Sequence, residues 1–550
     1  MDQDTYASPE VMSSKSGKKQ GDNLPRFRKV LKQLKFNGIR SVATSVRRAK
    51  YLNDNTPTQA HSPTSTTPSI DCKVEEEPRW GSYNLVYHIR FDDGIQWMLK
   101  VPANGHQGAW DTLASENLTS EALTVRLIGQ NPAIPVPAIP HFDATMDNEI
   151  GCPYILMDFI EGKPLHQVWF CNGVSVSRRE HVRLRSLHTI AVAMSALSEL
   201  QFERSGSLRF DSDGNFVDTG NAKACDYHTM LDRYGSIGDD SEDDIYRAKA
   251  STEHMLSSLL SVLNDRRTKS SDKALDRGVR ECIRMFTGWA LDYTKLEEQK
   301  FTLAHPDFDF QNLLVKDDGT LCGIIDWDGV AAVPHSVGSL KYPLWLMRDW
   351  DPAYYDGNPK TRGPKWSNGR RVNCPDEMDK YRGIYSQFIE AALLAPIKES
   401  LRSKRAADIT RSSLLLGSLE IAIKNPGSSD KIIKNIFQVM EWADHASRAE
   451  SSDPKAGDED EDGDEREDCV DDGSSDDDSS SDSDDYDGDI EKSFFSDDSS
   501  VESIADAAHE SEKTINCPRC RAENEKESAG QKPIPAKVAS HLGGSHEPPS

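Results

Sequence analysis

Apolar residues fall into two spacings along this chain, and the switch between them divides it. Between Trp80 and Val101 they come in short runs (Trp80 to Tyr87, Ile89 to Phe91, Ile95 to Val101) broken at Gly81-Ser82 and at Asp92-Asp93-Gly94. Short runs bounded by Gly and Asp predict strands, and the Asp-Gly pair predicts a hairpin. Residues 114–129 then switch to helical spacing through Leu118, Leu123, Val125, Leu127 and Ile128. Pro132 to Pro140 reads PAIPVPAIP, which cannot be a helix interior and predicts an extended connector. Pro153 to Ile160 is a continuous apolar run ended by Glu161-Gly162, which predicts a buried strand. Beyond it the helical spacing dominates: 178–202, 242–263, 277–293, 377–394, 410–423 and 431–442 each carry an apolar stripe. Two interruptions stand out. One is a polar hairpin at 209–219. The other is the stretch 301–329, FTLAHPDFDFQNLLVKDDGTLCGIIDWDG, with strands at Leu313–Val315 and Leu321–Ile325 around an Asp317-Asp318-Gly319 turn. The fold class is α+β, a small antiparallel β portion followed by a larger, mainly helical one.

Residues 24–52 also have helical spacing, in Phe27, Val30, Leu31, Leu34, Ile39 and Val42, with Arg26, Arg28, Lys29, Lys32 and Lys35 between them. Such a basic amphipathic helix binds an acidic membrane surface or a partner, packs on the folded body with its charges in water, or contacts the chain's own acidic tail, a reading that rests only on their opposite signs. Residues 56–69 are a Thr/Ser/Pro-rich linker. The organisation expected is a basic arm and linker over 1–70, a small lobe over 71–160, a larger lobe over 161–450 and an acidic tail over 451–550.

Charge sharpens this division. The chain has 550 residues and a net charge of −26. Between Ser451 and Glu512 there are 27 Asp and Glu against three Lys and Arg, so that segment alone carries −24. It is too polar to bury a core, its serines beside aspartates suit acidic-directed phosphorylation, and it is suited to a basic protein partner. The body between the tails is near neutral, and no nucleic-acid partner is expected. No run of 18 apolar residues occurs, so no transmembrane helix is expected. The start MDQDTYASPE lacks the basic-then-apolar order of a secretory leader, and the ten cysteines are scattered. These features predict a cytoplasmic protein. Cys517-Pro518-Arg519-Cys520 is a lone C-x-x-C without a second ligand pair, which is weak for zinc.

The candidate chemistry sits in the 301–329 stretch. Its hairpin brings Asp307, Asn312 and Asp326 to one end of a small sheet. Phosphoryl transfer asks little covalent work of a protein. It needs a carboxylate to orient and deprotonate the acceptor hydroxyl, and hard oxygens to hold magnesium on the phosphates. An Asp, an Asn five positions on, and an Asp after a strand pair match the kinase order of catalytic loop and metal-binding Asp. Asp307 is then the base, with Asn312 and Asp326 as metal ligands.

At these residues HPDFDFQN followed by GIIDWDG resembles the aminoglycoside phosphotransferase and choline kinase-like family, whose wording is H-G-D-x-x-x-x-N and then I-I-D-W-D/E. Pro306 stands where Gly is usual. The flanking Tyr342 to Leu346 and Arg348 to Pro352 are similar to fungal members. The resemblance implies a two-lobed protein kinase-like fold, ATP as phosphate donor, Mg2+ as cofactor and a small-molecule hydroxyl acceptor. It implies that the turn at Gly81 and Ser82 lies over the phosphates. A Lys in an apolar strand, Lys100 in QWMLKVP, needs an anionic partner because burying its charge unpaired is costly. The kinase pattern places it on the α- and β-phosphates with a helix Glu, and Glu116 and Glu121 are both available. The family wording S-E-x-x-x-x-R-x-I matches Ser120, Glu121, Arg126 and Ile128 and selects Glu121. The strand 153–160 resembles the hinge, with adenine held by backbone at Asp158 and Ile160. Trp345, Trp350, Tyr354 and Tyr355 lie where the family recognises its acceptor, unless they serve helix packing. Asp309, Asp328, Asp349 and Asp351 are available to a cationic acceptor, unless they are solvated or capping. The competing readings are a protein kinase, against which the H-P-D and I-D-W wordings argue, and a non-catalytic kinase-like scaffold.

Overall fold

The structure is a computed structural model. It describes residues 25–54, 70–81, 83–171, 173–220, 222–225, 246–249, 274–294, 301–334, 337–350, 373–394, 404–424 and 429–437. Ser82, Asp351, Tyr354, Tyr355, the 56–69 linker, most of the helix expected at 242–263, and the tail with Cys517 and Cys520 lie outside the described residues.

The small lobe is built on an antiparallel sheet. Its strands are β1 (Cys72–Val74), β2 (Arg79–Trp80), β3 (Asn84–Phe91), β4 (Gln96–Pro102), β5 (His141–Asp143) and β6 (Tyr154–Asp158). They lie in the order β1-β3-β4-β6-β5, with β2 also on β3. Gly94 has φ +85°, as the tight turn between β3 and β4 requires. The register sets Lys100 opposite Val86 on one side and Ile155 on the other, so it sits mid-sheet on a central strand.

The basic arm belongs to this lobe. It forms two helices, α1 (Arg28–Gln33) and α2 (Phe36–Asp54), rather than one. The break is at Leu34-Lys35, where the Lys35 amide donates to the Ile150 carbonyl at 2.8 Å. Gly38 follows, so close to the Glu149 carbonyl that a Cβ would lie 2.1 Å from that oxygen. Phe27, Val30, Ile39 and Ala43 join Leu85, Tyr87, Ile89, Trp97 and Leu99 in one buried cluster. The arm thus spends its apolar face on the sheet, and its outward cations face water.

Helix α3 (Thr112–Ile128) follows β4, capped by Asp111, whose carboxylate accepts from the Ala114 amide at 2.7 Å. The proline-rich connector then contributes backbone to both lobes. The Pro135 carbonyl accepts from the Ile324 amide at 2.8 Å, and the Ala138 carbonyl accepts from the Asp158 amide at 2.9 Å.

In the larger lobe, β7 (Lys163–Pro164) leads into α4 (Leu165–Trp169) and α5 (Val176–Leu197). Helix α5 ends five residues before the predicted boundary because Gln201–Phe202 is drawn into a strand, β8. The polar hairpin is β9 (Ser207–Phe210) with β10 (Phe216–Gly220), and β11 (Ala222–Cys225) pairs with β12 (Tyr246–Lys249). Residues 246–249, expected to be helical, are therefore a strand. After α6 (Ala274–Thr294) come β13 (Phe301–Ala304), β14 (Leu313–Val315), β15 (Leu321–Ile324) and β16 (Ala331–Pro334). They form two three-stranded sheets, β16-β13-β8 and β15-β14-β7. Helices α7 (Pro375–Leu394) and α8 (Lys404–Lys424) complete the described lobe, with a helical segment at 429–437. One hydrophobic cluster runs from Leu118 and Ala122 of α3 through Ile155 of β6 to Leu187, Leu313, Ile324 and Phe388, so a shared core joins the lobes. This is the two-lobed kinase-like fold.

Candidate active site

The β14–β15 hairpin is held by its turn. Gly319 has φ +92° and lies so near α5 that a Cβ would come 2.3 Å from the Val182 carbonyl. Ser186 Oγ donates to the Gly319 carbonyl at 3.0 Å, and the Leu321 amide donates to Thr189 Oγ1 at 3.1 Å. At its other end the hairpin carries two loops. The loop after β13 presents Asp307, a 3-10 turn at Phe310–Asn312 closes it, and the loop after β15 presents Asp326.

Hydrogen bonds tie these loops together. Asn312 Nδ2 donates to the Asp307 carbonyl at 2.8 Å and to Asp307 Oδ2 at 2.9 Å. Gln311 Nε2 donates to the same Oδ2 at 2.8 Å. Asp307 Oδ1 and Asn312 Oδ1 are left without a donor among the described residues. Below them His305 is buried and bridges the two loops. Its Nδ1 accepts from the Asp307 amide at 3.2 Å and its Nε2 faces the Ile325 carbonyl at 2.8 Å. Those roles assign the neutral, Nε2-protonated ring. Burial pushes its pKa down to about 4, which keeps it neutral. Trp327 packs edge-on against this ring at 4.7 Å and donates its indole N–H to the Ile324 carbonyl. Gln311 and His305 are site residues that motif reading left without roles; His305 lies two residues ahead of Asp307.

Asp326 is the one non-glycine residue at positive φ among the described residues, at +62°. A β-carbon in this region costs about 1–2 kcal/mol, less for Asp, which tolerates it better than most. The strain turns the carboxylate toward the small lobe. There Lys100 Nζ donates to Asp326 Oδ1 at 3.0 Å and to Glu121 Oε1 at 2.6 Å. Lys100 and Glu121 are buried, whereas the Asp326 side chain is 48% exposed. Burial alone would lower the Lys100 pKa, but the carboxylates of Glu121, Asp326 and Asp328 outweigh it and hold the ammonium charged. Burial raises Glu121 to about 7, with the Lys100 charge opposing. Glu116, the other candidate, lies apart and faces Arg209 at 3.6 Å. Burial, and then the charge of Asp309, raise the Asp307 pKa.

The remaining predicted positions fall as follows. The Gly81 amide donates to the Asn84 carbonyl at 3.0 Å, so it closes the β2–β3 turn and is not itself free for a phosphate. The Asp158 amide donates to the Ala138 carbonyl and is not itself free for a nucleotide base. The Ile160 side chain lies against Gly323, where a Cβ would come 2.7 Å from Ile160 Cδ1, so the end of the expected hinge segment rests on β15. Two carboxylates offered to a cationic acceptor are already paired. Asp309 binds Arg348, whose guanidinium lies over the Phe310 ring at 5.5 Å. Asp349 binds Arg382 through two bonds of 2.8 and 3.0 Å. Trp345 is buried and stacks on Phe310 at 4.6 Å, which makes it a packing residue.

The donor set suits magnesium. That ion takes hard oxygens, one or two from protein, and completes its shell with phosphate and water. The half-exposed Asp326 carboxylate and the undonated Asn312 Oδ1 are oxygens of that kind.

Residues 75–332 match the family model described as the phosphotransferase enzyme family. Among curated proteins, the chain is 29% identical over 137 residues to "Altered inheritance of mitochondria protein 9, mitochondrial" of Yarrowia lipolytica, covering 24% of this chain and 22% of that one. A subtelomeric hrmA-associated cluster protein of Aspergillus fumigatus is 32% identical over 89 residues, 16% of each chain. The chain thus spans about a fifth of the length of the first curated relatives it matches. Among solved structures, ethanolamine kinase of Plasmodium vivax aligns with 10% identity and a TM-score of 0.36, covering 77% of this chain and 93% of that one. The cytoplasmic location expected from the sequence is corrected here, because the matched relatives of Yarrowia lipolytica and Debaryomyces hansenii are named mitochondrial proteins. No helix among the described residues is long and apolar enough to cross a membrane.

Proposed function

We propose that this chain, whose residues 75–332 match the model of the phosphotransferase enzyme family, transfers the γ-phosphate of ATP, with magnesium, to a hydroxyl of a small molecule. The observation that carries this reading is the meeting of Lys100, Glu121 and Asp326 within 3.0 Å, beside the Asp307–Asn312 pair. Lys100 and Asp326 are 226 residues apart in sequence. A buried Lys, a buried Glu and a strained, half-exposed Asp form a costly group for packing alone. Their charges are those that a nucleotide triphosphate and its metal require.

In this reading Glu121 orients Lys100, which binds the α- and β-phosphates. Asn312 Oδ1 and Asp326 hold magnesium, which when bound neutralises phosphate charge and orients the transferred group. Asp307 is held by Asn312 and Gln311 through Oδ2 and presents Oδ1 to the acceptor hydroxyl. It orients that hydroxyl for in-line attack and takes its proton. Its raised pKa strengthens it as a base. The carbonyl of Asp158 and the backbone of Ile160 receive the adenine, and the turn at Gly81 and Ser82 covers the phosphates. The neutralised Asp309 and Asp349 favour an acceptor that is not bound through those carboxylates.

The test is ATP-dependent transfer to a panel of hydroxyl compounds, with Asp307→Asn as control. The variant is expected to lose roughly 10²–10⁴-fold in turnover while keeping magnesium-dependent nucleotide binding. Unchanged transfer by Asp307→Asn would remove it as the base. Failure of the native protein to bind magnesium-nucleotide would favour the scaffold reading.

A further inference from the structure

We propose that the outward cations of α1 and the turn after it, namely Arg28, Lys29, Lys32 and Lys35, form a docking surface for the chain's own acidic segment 453–491. The helical arm 25–53 contains nine Arg and Lys and no Asp or Glu. All of these cations except Arg26 and Lys50 divide into two sets. One set fastens the arm to the small lobe: Arg40 pairs with Asp71, Arg47 with Asp93 at 2.8 Å, and Arg48 donates to the Ile70 carbonyl at 2.9 Å. The other set is Arg28, Lys29, Lys32 and Lys35, all exposed and lacking an acidic partner among the described residues. Four like charges within eight residues repel one another, which is unfavourable unless an anion gathers them.

The anion must be one that needs no apolar face from the arm. Phe27, Val30, Ile39 and Ala43 are buried against the sheet, so the arm has no stripe left to insert into a bilayer. A polyanion fits better, and the same chain supplies one. Residues 453–491 contain 21 Asp and Glu and two Lys and Arg. Tethering raises the local concentration of such a segment to about the millimolar range, so weak, salt-sensitive ion pairs suffice. Arg26 lies over the Tyr83 ring at 5.6 Å, next to the Gly81–Ser82 turn, so the docked segment would lie near that turn.

The experiment uses the full chain and zero-length carbodiimide cross-linking, read by peptide mass spectrometry at low and at high salt. The expected result is cross-links from Lys29, Lys32 and Lys35 to carboxylates of 453–491, lost at high salt. A variant with Arg28, Lys29, Lys32 and Lys35 all changed to Glu should lose them and show a larger radius of gyration at low salt. These positions are exposed, so its thermal midpoint serves as the folding control. Cross-links from 453–491 to lysines elsewhere, unchanged in the variant, would overturn the proposal. So would equal radii of gyration for variant and native protein. A third outcome overturns it in favour of a membrane. There the native protein binds phosphatidylserine-containing vesicles through these cations, with no intramolecular cross-links.

Discussion

Replacing Asp326 separates backbone strain from ligand chemistry. At φ +62° the β-carbon of an alanine costs about 1–2 kcal/mol, which Asp326→Gly avoids. Gly gives back about 0.4–1 kcal/mol because it frees the unfolded chain. Asp326→Ala keeps the strained β-carbon and loses the carboxylate as well. Both variants lose the 3.0 Å contact with Lys100, a loss they share, and Lys100 retains Glu121 at 2.6 Å. The difference between the variants is therefore about 0.5–1 kcal/mol in favour of Gly. For a body of this size that corresponds to about 1–4 °C in the unfolding midpoint. With magnesium-ATP at 100 times its dissociation constant the native protein should gain about 2.7 kcal/mol, or roughly 5–10 °C, and neither variant should. Differential scanning fluorimetry of the full chain, with and without magnesium-ATP and with EDTA as control, reads both effects. Equal midpoints for the ligand-free Gly and Ala variants would refute the strain argument. A magnesium-dependent rise retained in either would refute Asp326 as a metal ligand.

Further expectations follow from the same geometry. Glu121 has its folded pKa raised to about 7 from an ordinary 4.5, so the folded state holds the extra proton between those values. Its contribution to stability is full below about 4.5 and is lost as pH rises through 7; Glu121→Gln should flatten that part of the denaturant-midpoint profile. His305 works in the opposite direction, because its folded pKa is depressed to about 4 from 6.5. Its contribution is full above 6.5 and is lost as pH falls toward 4, so His305→Gln should weaken that acid-side slope. Arg348→Met leaves Asp309 buried without its cation and should destabilise by about 3–5 kcal/mol in urea titration. It should also move the acid limb of the pH–rate profile upward, because Asp309 then raises Asp307 further. An unmoved limb would show that Asp309 does not act on the base.

Local structure carried much of this site into the sequence. Asp307, Asn312 and Asp326 lie within one strand–loop–hairpin, and turn residues with alternating apolar runs predict such a unit without reference to the rest of the chain. The Asp-Gly hairpin between β3 and β4, the helix expected over 114–129 and found at 112–128, and the extended proline connector were legible for the same reason. Each depends on contacts between residues a few positions apart. The choice between Glu116 and Glu121 came from resemblance, because both lie in one helix. Only packing of α3 across the sheet sets Glu121, and not Glu116, beside Lys100.

The tertiary structure decided what depends on distant partners. It placed Lys100 on Asp326, put Asp326 at positive φ, and set His305 as a neutral bridge between two loops. It paired Asp309 and Asp349 with Arg348 and Arg382, turning apparent acceptor ligands into internal ion pairs. It also split the basic arm at Lys35 and buried its apolar face on the sheet. Sequence periodicity shows that a face is apolar but not which surface covers it. That is settled by shape, and by the requirement that every buried amide and charge find a partner.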